Sequence, residues 1–206
     1  MFFSEQEMNE AEWFTLRSIT QKINYIGGEP YFKRMCHYRY SEQQGYMHIE
    51  GSVRWSSRQF FCRSNSRDDF LFCPERTKQL IEGKWDGIEF LPVIRENSGK
   101  EVKDLYQIKV TNRLPLEAFY IDKDQKLKKC PRCGRPLIVE QQDCQIKLKK
   151  DYLTDHSSFY TTGEYLTMGG MLKYTIPYRV VPKEFYAFCK TNKLDKGLEF
   201  IPVILL

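Results

Sequence analysis

One octet occurs twice, and that duplication constrains the fold more than any other feature of the chain. Gly87-Ile88-Glu89-Phe90-Leu91-Pro92-Val93-Ile94 returns as Gly197-Leu198-Glu199-Phe200-Ile201-Pro202-Val203-Ile204, with six of eight positions identical and Ile and Leu exchanged at the other two. The similarity reaches upstream. Pro74-Glu75-Arg76 opens a helix-like run ending near Gly83, and Pro182-Lys183-Glu184-Phe185 opens another ending near Asn192. Proline at the first helical position gives up a donor that has no intrahelical partner there, and its fixed φ suits the helix. Trp85-Asp86 leads into the first octet as Leu194-Asp195-Lys196 leads into the second, and the Gly that follows supplies a turn with positive φ. Each copy reads as strand, proline-started helix, tight turn, strand. Pro92 and Pro202 cannot donate to a ladder, so each copy is expected to end in an edge strand. Two widely spaced copies do not make a solenoid.

The expected class is therefore α+β: mostly antiparallel sheets with short helices, built from two related strand–helix–strand units. Residues 1–206 are expected to form one compact domain in two halves, 1–110 with the first copy and 111–206 with the second. A chain of 206 residues can bury a sizeable core. Its 41% hydrophobic and 29% charged content is ordinary for a globular protein. Aromatic residues, at 15%, are abundant and suit both β packing and aromatic-anchored binding surfaces. A net charge of +5 favours nucleic acid only slightly. The N-terminus lacks a basic region followed by an apolar core, so no secretory signal is expected. No apolar run is long enough to span a bilayer, so no membrane partner is expected. Seven cysteines, an odd number and scattered, point to reduced thiols in a cytoplasmic protein rather than to a disulfide framework.

Along the chain, residues 5–25 fit helix and strand about equally. Gly27-Gly28-Glu29-Pro30 is a turn without the Gly-Lys-Ser/Thr of a phosphate loop. Tyr31 to Tyr40 interleaves aromatic and basic residues, a pattern that stacks bases in some proteins and is more often a strand with aromatics inward. Met47 to Trp55 and Gln59 to Cys62 read as short strands. Leu105 to Val110 is a strand with Tyr106, Ile108 and Val110 on one face and Gln107 and Lys109 on the other. Cys144, Ile146 and Leu148 alternate with Gln145, Lys147 and Lys149 in another.

Cys130-Pro131-Arg132-Cys133-Gly134 has the form of a zinc knuckle, with two thiols two residues apart and a Gly that lets the chain turn. Cys130 and Cys133 are the candidate metal ligands and Zn the candidate metal. A structural zinc takes four donors. Cys144, Cys36 with His37, or His156 are the candidates for the rest, and spacing does not choose among them. His37, His48 and His156 sit in no ligand or triad spacing, and no H-E-x-x-H, G-x-S-x-G or Walker motif occurs, so no catalytic residues are assigned and an enzyme is the least favoured reading. Asp68-Asp69 and Asp122 with Asp124 lie in polar turns and read as surface carboxylates.

The Leu105–Val110 strand, the Cys130–Gly134 knuckle, the stretch from Ser158 to Met168 and the closing helix with Gly-Leu-Glu-Phe-Ile-Pro-Val together resemble the double-CxxCG motif family of bacterial immunity proteins. The resemblance covers roughly Phe70 to the end. Only the second knuckle is present; near Cys36, where the first would stand, the chain reads Met35-Cys36-His37-Tyr38-Arg39-Tyr40. The resemblance implies a cytoplasmic immunity protein whose partner is a cognate toxin domain, neutralised by protein–protein contact without chemistry of its own. The alternative is a zinc-knuckle nucleic-acid-binding protein using the basic cluster from Lys126 to Arg135 around the knuckle.

Overall fold

The computed structural model describes residues 3–19, 22–23, 32–36, 40–43, 45–50, 59–64, 70–121, 127–131, 133–139, 145–163, 165–167 and 177–206. The chain begins with α1 (Glu5–Glu10), β1 (Trp13–Ser18) and β2 (Lys22–Ile23). The hairpin β3 (Phe32–Cys36) and β4 (Tyr40–Gln43) follows, then β5 (Met47–Ile49). The first copy runs through β6 (Cys62–Ser64), β7 (Leu71–Cys73), α2 (Glu75–Ile81), β8 (Ile88–Arg95) and β9 (Lys100–Val110). A second hairpin, β10 (Leu127–Lys129) and β11 (Pro136–Val139), precedes β12 (Lys147–Leu148), β13 (Tyr160–Thr161) and β14 (Leu166–Thr167). The second copy closes with β15 (Arg179–Pro182), α3 (Lys183–Thr191), β16 (Leu198–Pro202) and β17 (Ile204–Leu205). Short helices on mainly antiparallel sheets make this an α+β fold.

The duplication is structural and larger than the octet. In the first copy the strands lie in the order β6-β7-β9-β8-β5; in the second they lie as β13-β15-β1-β16, with β17 continuing outward to pair with β12. Each copy is thus a strand–helix–strand unit split by an antiparallel strand between its two parallel ones, and the short strand at the far edge pairs parallel in both. The residue registers match. Tyr106 lies opposite Cys73 and Pro92; Phe14 lies opposite Val181 and Pro202. Turn conformations match too: Gly83 and Lys193 have φ of 74° and 54°, and Gly87 and Gly197 have 73° and 85°. The sequence offset between copies grows by two residues across the helix, and α3 is two residues longer than α2, nine against seven. Pro74 and Pro182 stand one place earlier than expected, as extended N-caps rather than first helical residues.

The central strand comes from opposite directions in the two copies. β9 follows β8 through a tight turn, whereas β1 arrives from the start of the chain. β1 thus lies within residues 1–110 but forms the middle of the sheet that holds the second copy. Pro202 does lie on an edge strand, as expected. Pro92 does not: β5 joins β8 at Val93, just beyond the proline, where the β8–β9 register shifts. The missing donor is accommodated at that irregularity instead.

Both units bury their helices in one core. Phe14 and Leu16 of β1, Leu71, Cys73 and Ile81 of the first copy, and Phe185, Cys189 and Phe200 of the second all belong to it. Trp85 meets Phe185 edge-on at 5.4 Å and Phe159 at 6.0 Å, so the core is knit by aromatic pairs. A second cluster gathers Trp13, Phe119, Ile138, Ile146, Leu148 and Val203. A third, under β5, β7 and β9, holds Met47, Phe72, Val93 and Leu105. Gln107, on the face opposite Tyr106 and Ile108, is buried and exchanges hydrogen bonds of 2.8 Å with Gln43. No helix among the described residues is long and apolar enough to cross a membrane.

Candidate functional site

The Cys130–Gly134 segment is the tip of the β10–β11 hairpin. Cys130 donates to the Arg135 carbonyl at 2.8 Å, and Gly134, at φ 71°, donates back to the Cys130 carbonyl at 2.9 Å. Only a residue tolerant of positive φ closes so short a loop without strain. The two candidate ligands point to different surroundings: Cys130 is buried and Cys133 exposed, and no disulfide joins them. Among the described residues no three His, Cys, Asp or Glu side chains gather closely enough to share a metal ion. His156 is not brought to the two thiols; its ring lies tilted against that of Trp13, 5.2 Å between centroids, and its Nδ1 lies 3.2 Å from a Glu184 carboxylate oxygen. Cys144, His37 and the side chain of Cys36 lie outside the described residues. Two thiols fit half of a tetrahedral zinc set, and the described residues do not complete one.

The β3–β4 hairpin precedes β5 as β10–β11 precedes β12, and Cys36 ends β3 as Cys130 follows β10. The topology thus places Cys36 at the tip that corresponds to the knuckle. The side chains of 31–42, with their aromatic and basic pattern, lie outside the described residues, as do Asp68, Asp69, Asp122 and Asp124.

The remaining described thiols are core residues. Burial pushes Cys62, Cys73 and Cys189 well above the ordinary thiol range, which removes the thiolate that metal binding or nucleophilic attack needs. His48 pairs with Glu96 at 2.8 Å across the β5–β8 edge. Asp155 accepts from Ser157 and Ser158 at the start of a loop that bridges to Asp86; those hydrogen bonds hold its carboxyl down at about 2.

Sequence reasoning missed a surface that residues 118–120 build with β12 and β17. Tyr120 donates to Lys147, Lys149 donates to Ala118, and Leu206 donates to Leu148, so that an isolated bridge between Phe119 and Leu148 flanks the two-stranded β12–β17 sheet and makes a short ribbon. Because side chains alternate, Phe119 and Leu148 face the core while Tyr120, Lys147, Ile204, Lys149 and Leu206 share the outer face. Tyr120 is 41% exposed and Leu206 56%. The alternation of Ile146 and Leu148 against Lys147 and Lys149 was the signal available in the sequence; the neighbours of that strand were not. Beside the ribbon, Phe119, Ile138, Gln145 and Leu166 line a small, partly open hollow of about 10 Å³, too small for a ligand larger than water. The chain matches no protein-family model and no curated protein.

Proposed function

We propose that this chain is a cytoplasmic immunity protein that binds a cognate toxin domain and neutralises it by covering it, without catalysis. The observation that carries this reading is the outer face of the ribbon. There Tyr120, Ile204 and Leu206 stand among Lys147 and Lys149 on a floor held rigid by buried Phe119 and Leu148. A tyrosine fixed on a packed sheet loses little entropy on docking and buries a large area, which is what makes aromatic anchors effective at interfaces. The lysines around it favour a partner face of opposite sign and speed its approach. The resemblance to the double-CxxCG immunity family points the same way.

Co-expression tests the reading. A toxin domain encoded beside this gene is expected to kill cells alone and to spare them when this chain is present. Tyr120→Glu, on an exposed position, is expected to abolish protection while leaving the circular dichroism spectrum unchanged. Survival that depends on neither the chain nor Tyr120 would remove the proposal. Zinc on Cys130 and Cys133 belongs to the same proposal, its other donors to come from Cys36, His37 or Cys144. Elemental analysis of protein purified without chelator is expected to give about one zinc per chain, lost in Cys130→Ser. Little zinc in both removes the metal without touching the binding function.

A further inference from the structure

We propose that the open edge of β10 takes up an extended acidic segment of a partner protein as an added strand. This rests on the protein-binding reading above and assigns it a docking element. The register decides which main-chain groups are available. Leu127 lies opposite Ile138, Lys128 opposite Leu137, and Lys129 opposite Pro136. Pro136 has no N–H, and the Ile138 N–H is donated to Tyr165 on the far side of β11, at 2.7 Å. In an antiparallel pair, hydrogen-bonded and non-hydrogen-bonded positions alternate. Lys128 and Leu137 are therefore the bonded pair, and the N–H and C=O groups of Leu127 and Lys129 point outward, away from β11.

Among the described residues β10 is the edge strand of its sheet, and all three of its residues are exposed, Leu127 by 50%. By contrast, Leu137 and Ile138 on β11 are buried. Among the described residues neither Lys128 nor Lys129 makes an ion pair. An edge with alternating free donors and acceptors fits another strand. A nucleic-acid backbone offers acceptors for the two N–H groups but leaves the two C=O groups unmet. The two lysines repel the β10 of a second copy, which disfavours self-pairing, and they favour carboxylates on the incoming strand. Leu127 asks for an apolar residue opposite it.

The test uses the full chain, isotope-labelled for NMR, and the peptide acetyl-Glu-Val-Glu-Ile-Glu-Val-Glu-amide at millimolar concentration. The amides of Leu127 and Lys129 are expected to shift and to become protected from exchange, while the Lys128 amide, already bonded, stays as it was. Lys129→Pro removes one outward donor and no bond to β11, so the fold is expected to stand and the peptide to bind about tenfold more weakly. Lys128→Glu with Lys129→Glu is expected to exchange the preference for that of the Lys-Val-Lys-Ile-Lys-Val-Lys counterpart. Equal binding by Lys129→Pro, shifts confined to residues away from β10, or equal protection by oligothymidylate would each overturn the proposal. The peptide assay needs no toxin. Peptide binding without cellular protection therefore sinks the immunity reading alone, and protection without peptide binding sinks the edge alone.

Discussion

At the scale of the residue, Gly87, which opens the first octet, stands where a side chain does not fit. Gly87 has φ 73°, and a Cβ there would press into the Phe159 carbonyl oxygen and the Asn112 side chain. Gly99, in the β8–β9 turn, has φ 62° but nothing near its missing Cβ. Gly87→Ala should therefore cost both left-handed strain and a backbone shift, at least about 2–3 kcal/mol, against about 1 kcal/mol for Gly99→Ala. Urea denaturation of the two variants measures the difference, and equal losses would show the Phe159 contact to be unimportant. Asp155 supplies a second residue-scale expectation. Its folded carboxyl is held down from 3.8 to about 2 by the Ser157 and Ser158 hydrogen bonds. A depressed folded value contributes stability above the unfolded one and loses it as pH falls through the folded one. Asp155→Asn should accordingly lower stability at neutral pH and flatten its decline between about pH 4 and pH 2. Thermal melts across that range check it; parallel curves for variant and wild type count against it.

At the scale of the element, the two copies solve one problem with different atoms. Neither Pro74 nor Pro182 can cap its helix with a side chain, so the cap comes from the central strand. Asp104 of β9, at φ 60°, accepts from the Glu75 N–H at 2.6 Å; Glu12, in the corresponding place before β1, accepts from Lys183 through its backbone carbonyl at 2.8 Å. Asp104→Ala is expected to cost about 1–2 kcal/mol, losing the cap and straining the left-handed backbone. Asp104→Asn keeps both functions and should cost far less. Chemical denaturation that ranks the two equally would refute the capping role. These elements also mark where the sequence was legible. Proline, Gly and the repeated octet announced both strand–helix–strand units, because turn chemistry and repetition are local. The 5–25 stretch hid β1, since a central strand covered on both faces shows no alternation: Trp13, Phe14, Thr15 and Leu16 are all buried. The burial of Gln107 was not legible for a related reason, since the Gln43 side chain that satisfies it lies far away in sequence. The hairpin thiols were legible as a pair, while the ribbon face was not, because its strands lie far apart in sequence.

At the scale of the whole molecule, the second unit is completed by β1, a strand far removed from it along the chain. β1 holds β15 on one side and β16 on the other, and its Trp13, Phe14 and Leu16 are at most 1% exposed. Each such side chain is worth about 1.5–3 kcal/mol of burial, and removing the strand also orphans the ladder bonds of both neighbours. That total is comparable with the 5–15 kcal/mol stability of a typical domain. Removing residues 1–19 should therefore unfold the second unit, and because Phe14 and Leu16 share a core with Leu71 and Ile81, the first should lose its tertiary signal with it. The first copy suggests the rescue. There the central strand follows the octet through the Glu96–Lys100 turn instead of preceding the unit. A permuted chain carrying residues 3–19 after Leu206 through a flexible linker would copy that order and should recover a single cooperative melt, with far-UV and near-UV signals changing together. Recovery fails if β1 is needed early, as the strand on which the rest condenses, and the permutant would then show secondary structure without fixed packing. That outcome would mean the two copies share a shape but not an interchangeable order of assembly.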